Sequence, residues 1–133
     1  MKVRSGIDAV HIPRIVKSLD KLGDAFIDRC FTDEEKAYAL SHAAKARQAE
    51  IFAGRFAAKE AASKALGTGI LTESIALTDF EILADSAGAP VLTFHGKAKE
   101  RADQLGVQSS SVSITHEKDY AAAICVLLCD EEV

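Results

Sequence analysis

A chain of 133 residues, 48% apolar and 27% charged with a formal net charge of −4, is the size of one globular unit with its own core. That balance excludes whole-chain disorder and a surface given over to non-specific nucleic-acid binding. Cys30, Cys125 and Cys129 form neither a C-x-x-C pair nor a zinc spacing, which argues against a disulfide framework or structural zinc.

Residues 1–6 lack the apolar core of a signal peptide, and no later run reaches membrane-spanning length, so a soluble, cytoplasmic protein is expected. No internal repeat, low-complexity segment or linker-like shift in composition interrupts the chain. Residues 3–12 read as a strand, rich in β-branched side chains and interrupted by Gly6. Asp8 lies inside it, where a carboxylate is poorly suited and needs a solvent-facing side, a partner or a cation. Pro13 suits the first turn of a helix whose apolar face is Ile15, Leu19, Leu22 and Phe26. Arg14, Lys17 and Lys21 line up on another face, for which solvation is the ordinary explanation.

Thr32 and Glu35 have capping-box spacing, which predicts a second helix. A third spans residues 50–66 and ends at Gly67. Residues 75–83 and 90–94 read as strands joined by the turn-rich "ADSAGA", and 97–105 as a short helix stopped by Gly106. Residues 109–115 and 120–128 read as a second hairpin around "HEKD". The last strand is apolar on both faces and is expected to be central. Helices first and strands mostly later give an α+β fold.

The third helix carries the unusual stretch "GRFAAKEAASKALGTG". At 100° per residue, Ala53, Ala57, Ala58, Ala61, Ala62 and Ala65 share one half of its circumference. Small residues there let another element approach closely. On the other half, Phe52, Phe56 and Leu66 are interleaved with Arg55, Lys59, Glu60 and Ser63, unlike an exposed helix that segregates its charges. One reading makes Glu60 and Lys64 an i, i+4 surface pair, with Arg55 and Lys59 snorkelling outward. The other places Glu60 in a cleft as a metal ligand or base, with Arg55, Lys59 or Lys64 facing phosphate oxygens. Asp8 would supply the second carboxylate, and Mg2+ commonly takes only one or two from protein.

His11, His42, His95 and His116 lack zinc spacing. His116, in an expected turn after "SVSIT", could present N–H groups to an anion beside the Thr115 hydroxyl. "GTGI" follows a helix and lacks the P-loop lysine, and no G-x-S-x-G elbow occurs.

Taken together, "GIDAVHIPRI", "FTDEEKAY", "FAGRFAAKEAASKALGTGI", the "DFEI…AGAPVL" hairpin and "SVSITHEKDYAAAICVL" resemble the phosphopantetheinyl transferases of the acyl-carrier-protein synthase type, over essentially the whole chain. The resemblance implies an α+β phosphopantetheinyl transferase fold in one domain, 1–133, with an N-terminal strand and helices followed by antiparallel strands. It implies a magnesium-dependent cytoplasmic enzyme of fatty acid biosynthesis that moves 4'-phosphopantetheine from coenzyme A to a serine of apo acyl carrier protein, leaving 3',5'-ADP. It also implies a homotrimer with active sites between subunits; from the charge and the lack of a spanning run, neither nucleic acid nor membrane is expected as a partner.

Carried over by position, Asp8 and Glu60 become the metal ligands, with Glu60 and Lys64 catalytic. Arg55, Lys64, Gly67, Thr115 and His116 become coenzyme A contacts, and Arg14 a contact for the acidic carrier protein. The serine proton goes either to Glu60 directly or to a water on the metal positioned by Glu35. This chain departs from the family at His11, where a carboxylate is usual, and at Ala9, which is smaller than usual. Two rivals use the same residues: a magnesium-dependent nucleotide or pyrophosphate hydrolase, and a non-catalytic module that docks carrier proteins.

Overall fold

The structure, a computed structural model, describes residues 1–68 and 74–130. In chain order the elements are β1 (Lys2–His11), α1 (Ile12–Leu22), α2 (Asp24–Cys30), α3 (Asp33–Leu40), α4 (Lys45–Leu66), β2 (Phe80–Ala84), β3 (Pro90–Phe94), α5 (Gly96–Leu105), β4 (Val107–Glu117) and β5 (Tyr120–Cys129). β1, β5 and β4 form an antiparallel sheet with β5 in the middle, and β2 and β3 form a separate hairpin. The α+β class and the central last strand agree with the sequence reading.

α4 packs across one face of this sheet. Its alanine face is the contact: Ala53, Ala57, Ala58, Ala61, Ala62 and Ala65 are all buried, the last five in a core that includes Val112, Cys125 and Leu127 and Ala53 in a second one with Ala121. With only methyl groups on the helix, backbones approach closely. A Cβ on Gly6 would stand 2.0 Å from the carbonyl oxygen of Ala61 and 2.8 Å from the nitrogen of Ala65. Gly6 therefore marks the crossing of β1 and α4, where no side chain fits.

Three local expectations need correction. The first long helix is two, because Gly23 adopts φ 56° and ψ −129° between them; its N–H closes α1 on the Leu19 carbonyl, and its own carbonyl starts α2. Phe26 continues the heptad-like spacing but belongs to α2, where it stacks on Phe56. The third helix begins at Lys45, ahead of residue 50. The strand expected from residue 75 begins at Phe80, because Leu77–Asp79 forms a 3₁₀ turn held by the Asp79 carboxylate accepting from the Ala76 N–H. The capping box is present in both halves: Thr32 Oγ1 accepts from the Glu35 N–H, and Glu35 Oε1 from the Thr32 N–H.

Candidate functional site

The two periodicities that meet at Gly6 also build the site. Along β1, Gly6 and Asp8 point to the same side, toward α4, with Asp8 opposite Ala123 of β5. Along α4, Glu60 and Lys64 are one turn apart on its partly exposed flank. Lys64 Nζ donates to the Ile7 carbonyl at 2.9 Å and lies 3.3 Å from Asp8 Oδ1. The surface pair expected between Lys64 and Glu60 is thus replaced by a bridge from helix to strand. The glycine two residues earlier brings the strand close enough for that bridge.

Glu60 is half-buried, and burial first, then the Asp8 charge, push its carboxyl above the usual range, with Lys64 pulling it partly back. Asp8 and Glu60 are therefore within electrostatic reach of each other on one side of α4. Two like charges at a half-buried site, with one ammonium beside them, form an oxygen-rich set suited to a hard divalent cation.

One residue before Glu60 the structure departs from both sequence readings. Lys59 neither snorkels outward nor faces phosphate: it is fully buried, and its ammonium lies 2.6 Å from Glu35 Oε1. It also donates to the carbonyls of Leu77, at 3.2 Å, and Phe80. Glu35 Oε1 additionally accepts from the Thr32 N–H, and Oε2 accepts from the Ile82 N–H at 2.8 Å. Both carboxylate oxygens are engaged in the core, so Glu35 is not placed to orient a water for the reaction. Sequence periodicity put Lys59 on the same half of the helix as Phe52 and Phe56 but did not reveal its partners, which lie far along the chain. The capping box gave the only hint that Glu35 turns inward.

Arg55 and His116 come together elsewhere, lining a cleft of about 160 Å³ with Tyr38, Arg47, Glu50 and Ile114. The Arg55 guanidinium carbon lies 4.8 Å over the Tyr38 ring, and its Nε is buried with no hydrogen-bond partner. Burial draws its pKa down. His116 stands 3.6 Å from Glu50 and 3.2 Å from an Arg47 nitrogen. Three cationic or potentially cationic groups and an orphaned donor fit an anionic ligand. Arg47 and Glu50 carried no distinguishing signal in the sequence.

His116 and Thr115 lie within β4, not in a turn; the turn is Lys118–Asp119, with Lys118 at φ 51°. Being adjacent on a strand they face opposite sides. Thr115 lies on the outer face, in a shallow groove with Ile7, Ser113, Ala122 and Ile124. That face is notably apolar for an exposed one: Ile7 is 65% and Ile124 41% exposed, and the two are register partners. Arg14, Lys17 and Lys21 are all exposed on α1, as expected for a basic stripe.

Gly67 caps α4 in the left-handed region, at φ 79°. There Arg4 Nε donates to the Ala65 carbonyl at 2.8 Å, and Arg101 Nε to that of Leu66. Gly69, the last residue of "LGTG", lies outside the described residues. No described helix is long and apolar enough to cross a membrane.

Residues 4–125 match the family model of the 4'-phosphopantetheinyl transferase superfamily. The chain is 49% identical over 122 residues to the holo-(acyl-carrier-protein) synthase of Solidesulfovibrio magneticus, covering 92% of this chain and 94% of that protein. It is 42% identical over 127 residues to the enzyme of that name from Koribacter versatilis, covering 96% and 98%. Among solved structures it is similar to the Helicobacter pylori holo-(acyl-carrier-protein) synthase in complex with coenzyme A, with TM-score 0.80 and 33% identity over 93% of this chain and 99% of that one. It is likewise similar to a Chronobacterium ammoniagenes ACPS–CoA complex, with TM-score 0.84 and 28% identity over 98% and 100%.

Proposed function

Because the chain belongs to the 4'-phosphopantetheinyl transferase superfamily, we propose that it transfers 4'-phosphopantetheine from coenzyme A to a serine of an apo acyl carrier protein. 3',5'-ADP is the other product, and fatty acid biosynthesis is the setting. The observation that carries this reading is the meeting of Asp8, Glu60 and Lys64 where β1 crosses α4, in a chain so similar to named holo-(acyl-carrier-protein) synthases.

Asp8 and Glu60 would hold Mg2+, which when bound draws negative charge from the pyrophosphate oxygens. Lys64, half-exposed beside Asp8, adds an ammonium for the same oxygens. Transfer of this kind asks a protein mainly for positioning and charge neutralisation. The serine oxygen bonds to the β-phosphorus as the bond from that phosphorus to the departing 3',5'-ADP oxygen breaks. A Glu60 carboxylate oxygen accepts the serine proton.

Arg55 and His116 receive further phosphate of coenzyme A, the buried Arg55 Nε supplying an otherwise unused donor. Gly67 borders the adenosine end, and Arg14 on its basic stripe meets the acidic carrier protein. Thr115 joins the coenzyme A site only if a second chain covers the outer sheet face. The exposed Ile7 and Ile124 there support a homotrimer whose active sites lie between subunits. The enzyme works in the cytoplasm.

The test is apo carrier protein with coenzyme A, with and without Mg2+, followed by intact mass. A mass gain on the carrier of one phosphopantetheine, dependent on Mg2+, is expected. Release of 3',5'-ADP from coenzyme A without any carrier would favour the hydrolase instead. Carrier binding with neither product would leave only a docking module.

A further inference from the structure

The Glu35–Lys59 pair plays no part in the chemistry above, yet it stands one residue from Glu60. Neither side chain reaches solvent, and the pair ties three elements together: Glu35 from α3, Lys59 from α4, and the Ile82 N–H and Phe80 carbonyl from β2. The Leu77 carbonyl and Thr32 N–H complete the set. All three ammonium hydrogens have an acceptor, and each carboxylate oxygen has a donor.

A buried ion pair of this kind is a poor source of stability, since a well-packed apolar pair of similar volume often serves as well or better. What an apolar pair lacks is direction: charge-assisted hydrogen bonds hold their partners at set angles as well as set distances. α4 needs such a device. From Ala57 to Ala65 its buried side chains are alanines, Ser63 and Lys59, so Lys59 is the one long side chain there that can key the helix against its surroundings.

Rotation is the sensitive coordinate. A turn of about 10° about the helix axis moves a carboxylate about 6 Å from that axis through roughly 1 Å, more than a catalytic constellation tolerates. Glu60 follows Lys59 by 100°, so fixing one fixes the other. We propose that the buried Glu35–Lys59 pair is a positioning pair for Glu60, setting the rotation of α4 so that the Glu60 carboxylate meets Asp8 across a shared cation. This rests on the metal reading given above.

The test uses Mn2+ as a spin probe, titrated with coenzyme A present and read by electron paramagnetic resonance, on the full chain. Wild type should bind Mn2+ in a way that Asp8→Asn abolishes. The double variant Glu35→Gln/Lys59→Met, nearly unchanged in volume, should keep a native circular dichroism spectrum but bind Mn2+ about 10- to 100-fold more weakly, the range of outer-sphere substitutions. Ile82→Val, which thins the same wall and leaves the ion pair alone, should bind as wild type does. If the double variant does not fold, Lys59→Arg carries the test, because it keeps the charge but cannot repeat the three-acceptor geometry. Wild-type Mn2+ affinity in a folded variant of the pair would overturn the positioning role alone. Failure of wild type to show Asp8-dependent binding would overturn the metal reading and this inference with it.

Discussion

Gly6 lies against the backbone of α4 so closely that a methyl group on it would meet the Ala61 carbonyl oxygen at 2.0 Å. The atoms in the way are the main chain of Ala61 and Ala65 and the Cβ of Lys64, none of which is the far end of a flexible side chain that could yield. Gly6→Ala should cost about 3 kcal/mol or more, at the upper end of overpacking. Urea denaturation measures it, and a midpoint near that of the parent would mean that β1 and α4 do not cross there.

Asp8→Ala and Glu60→Ala should each lower transfer at least about 100-fold while the fold survives, since a metal supplies several kcal/mol of charge stabilisation and each 1.36 kcal/mol is tenfold in rate. Mass gain on apo carrier protein gives the rate, and circular dichroism checks the fold. Parent-like turnover in either variant would remove these residues from the metal site.

Glu60→Gln should separate activity from stability. In the native chain the Glu60 carboxyl is raised, by burial first and by Asp8 second. Between the unfolded value and this raised one, the folded chain holds a proton that the unfolded chain has released, so stability falls as pH rises through that window and stays reduced above it. The glutamine variant lacks this loss. Without metal, its melting temperature should therefore exceed the parent's at neutral pH and match it in acid. Added Mg2+ should narrow the gap by raising the parent alone.

Arg14→Glu should raise KM for the carrier protein roughly 2- to 10-fold, as expected for an exposed charge, and leave KM for coenzyme A unchanged. Steady-state kinetics with each substrate varied in turn decides it. An effect on coenzyme A in place of the carrier would move Arg14 from the docking surface to the nucleotide site.

Ile124→Asp puts a charge in the middle of the outer sheet face, beside Ile7. On the proposed homotrimer, it should give monomers in sedimentation velocity and abolish transfer, with secondary structure retained. A monomeric parent would end the trimer reading.

What the sequence made legible is what local spacing encodes. The six alanines at helical spacing gave the buried face of α4, the Thr32–Glu35 spacing gave a capping box that forms in full, and the all-apolar last strand gave the middle of the sheet. What it hid depends on partners far along the chain. Lys59 is buried because Glu35, 24 residues away, and two carbonyls downstream of the helix receive it. Lys64 bonds across to Asp8, 56 residues away, although Glu60 stands at the spacing a helix favours. Gly23 could have been tolerated inside a helix; only its backbone angles make it a break. Asp8 and Glu60 pair in the sequence as two carboxylates that one Mg2+ could use, but spacing alone does not bring a strand residue and a helix residue together. Their meeting came from the crossing at Gly6.

The alanine face of α4 also has a mechanical consequence. Alanine has no side-chain torsions, so where α4 is seated on its six buried alanines no rotamer change is open to those side chains. A change at the Lys59 anchor or under Gly6 therefore has to be met by the backbone that carries Glu60, and not by the alanines between them.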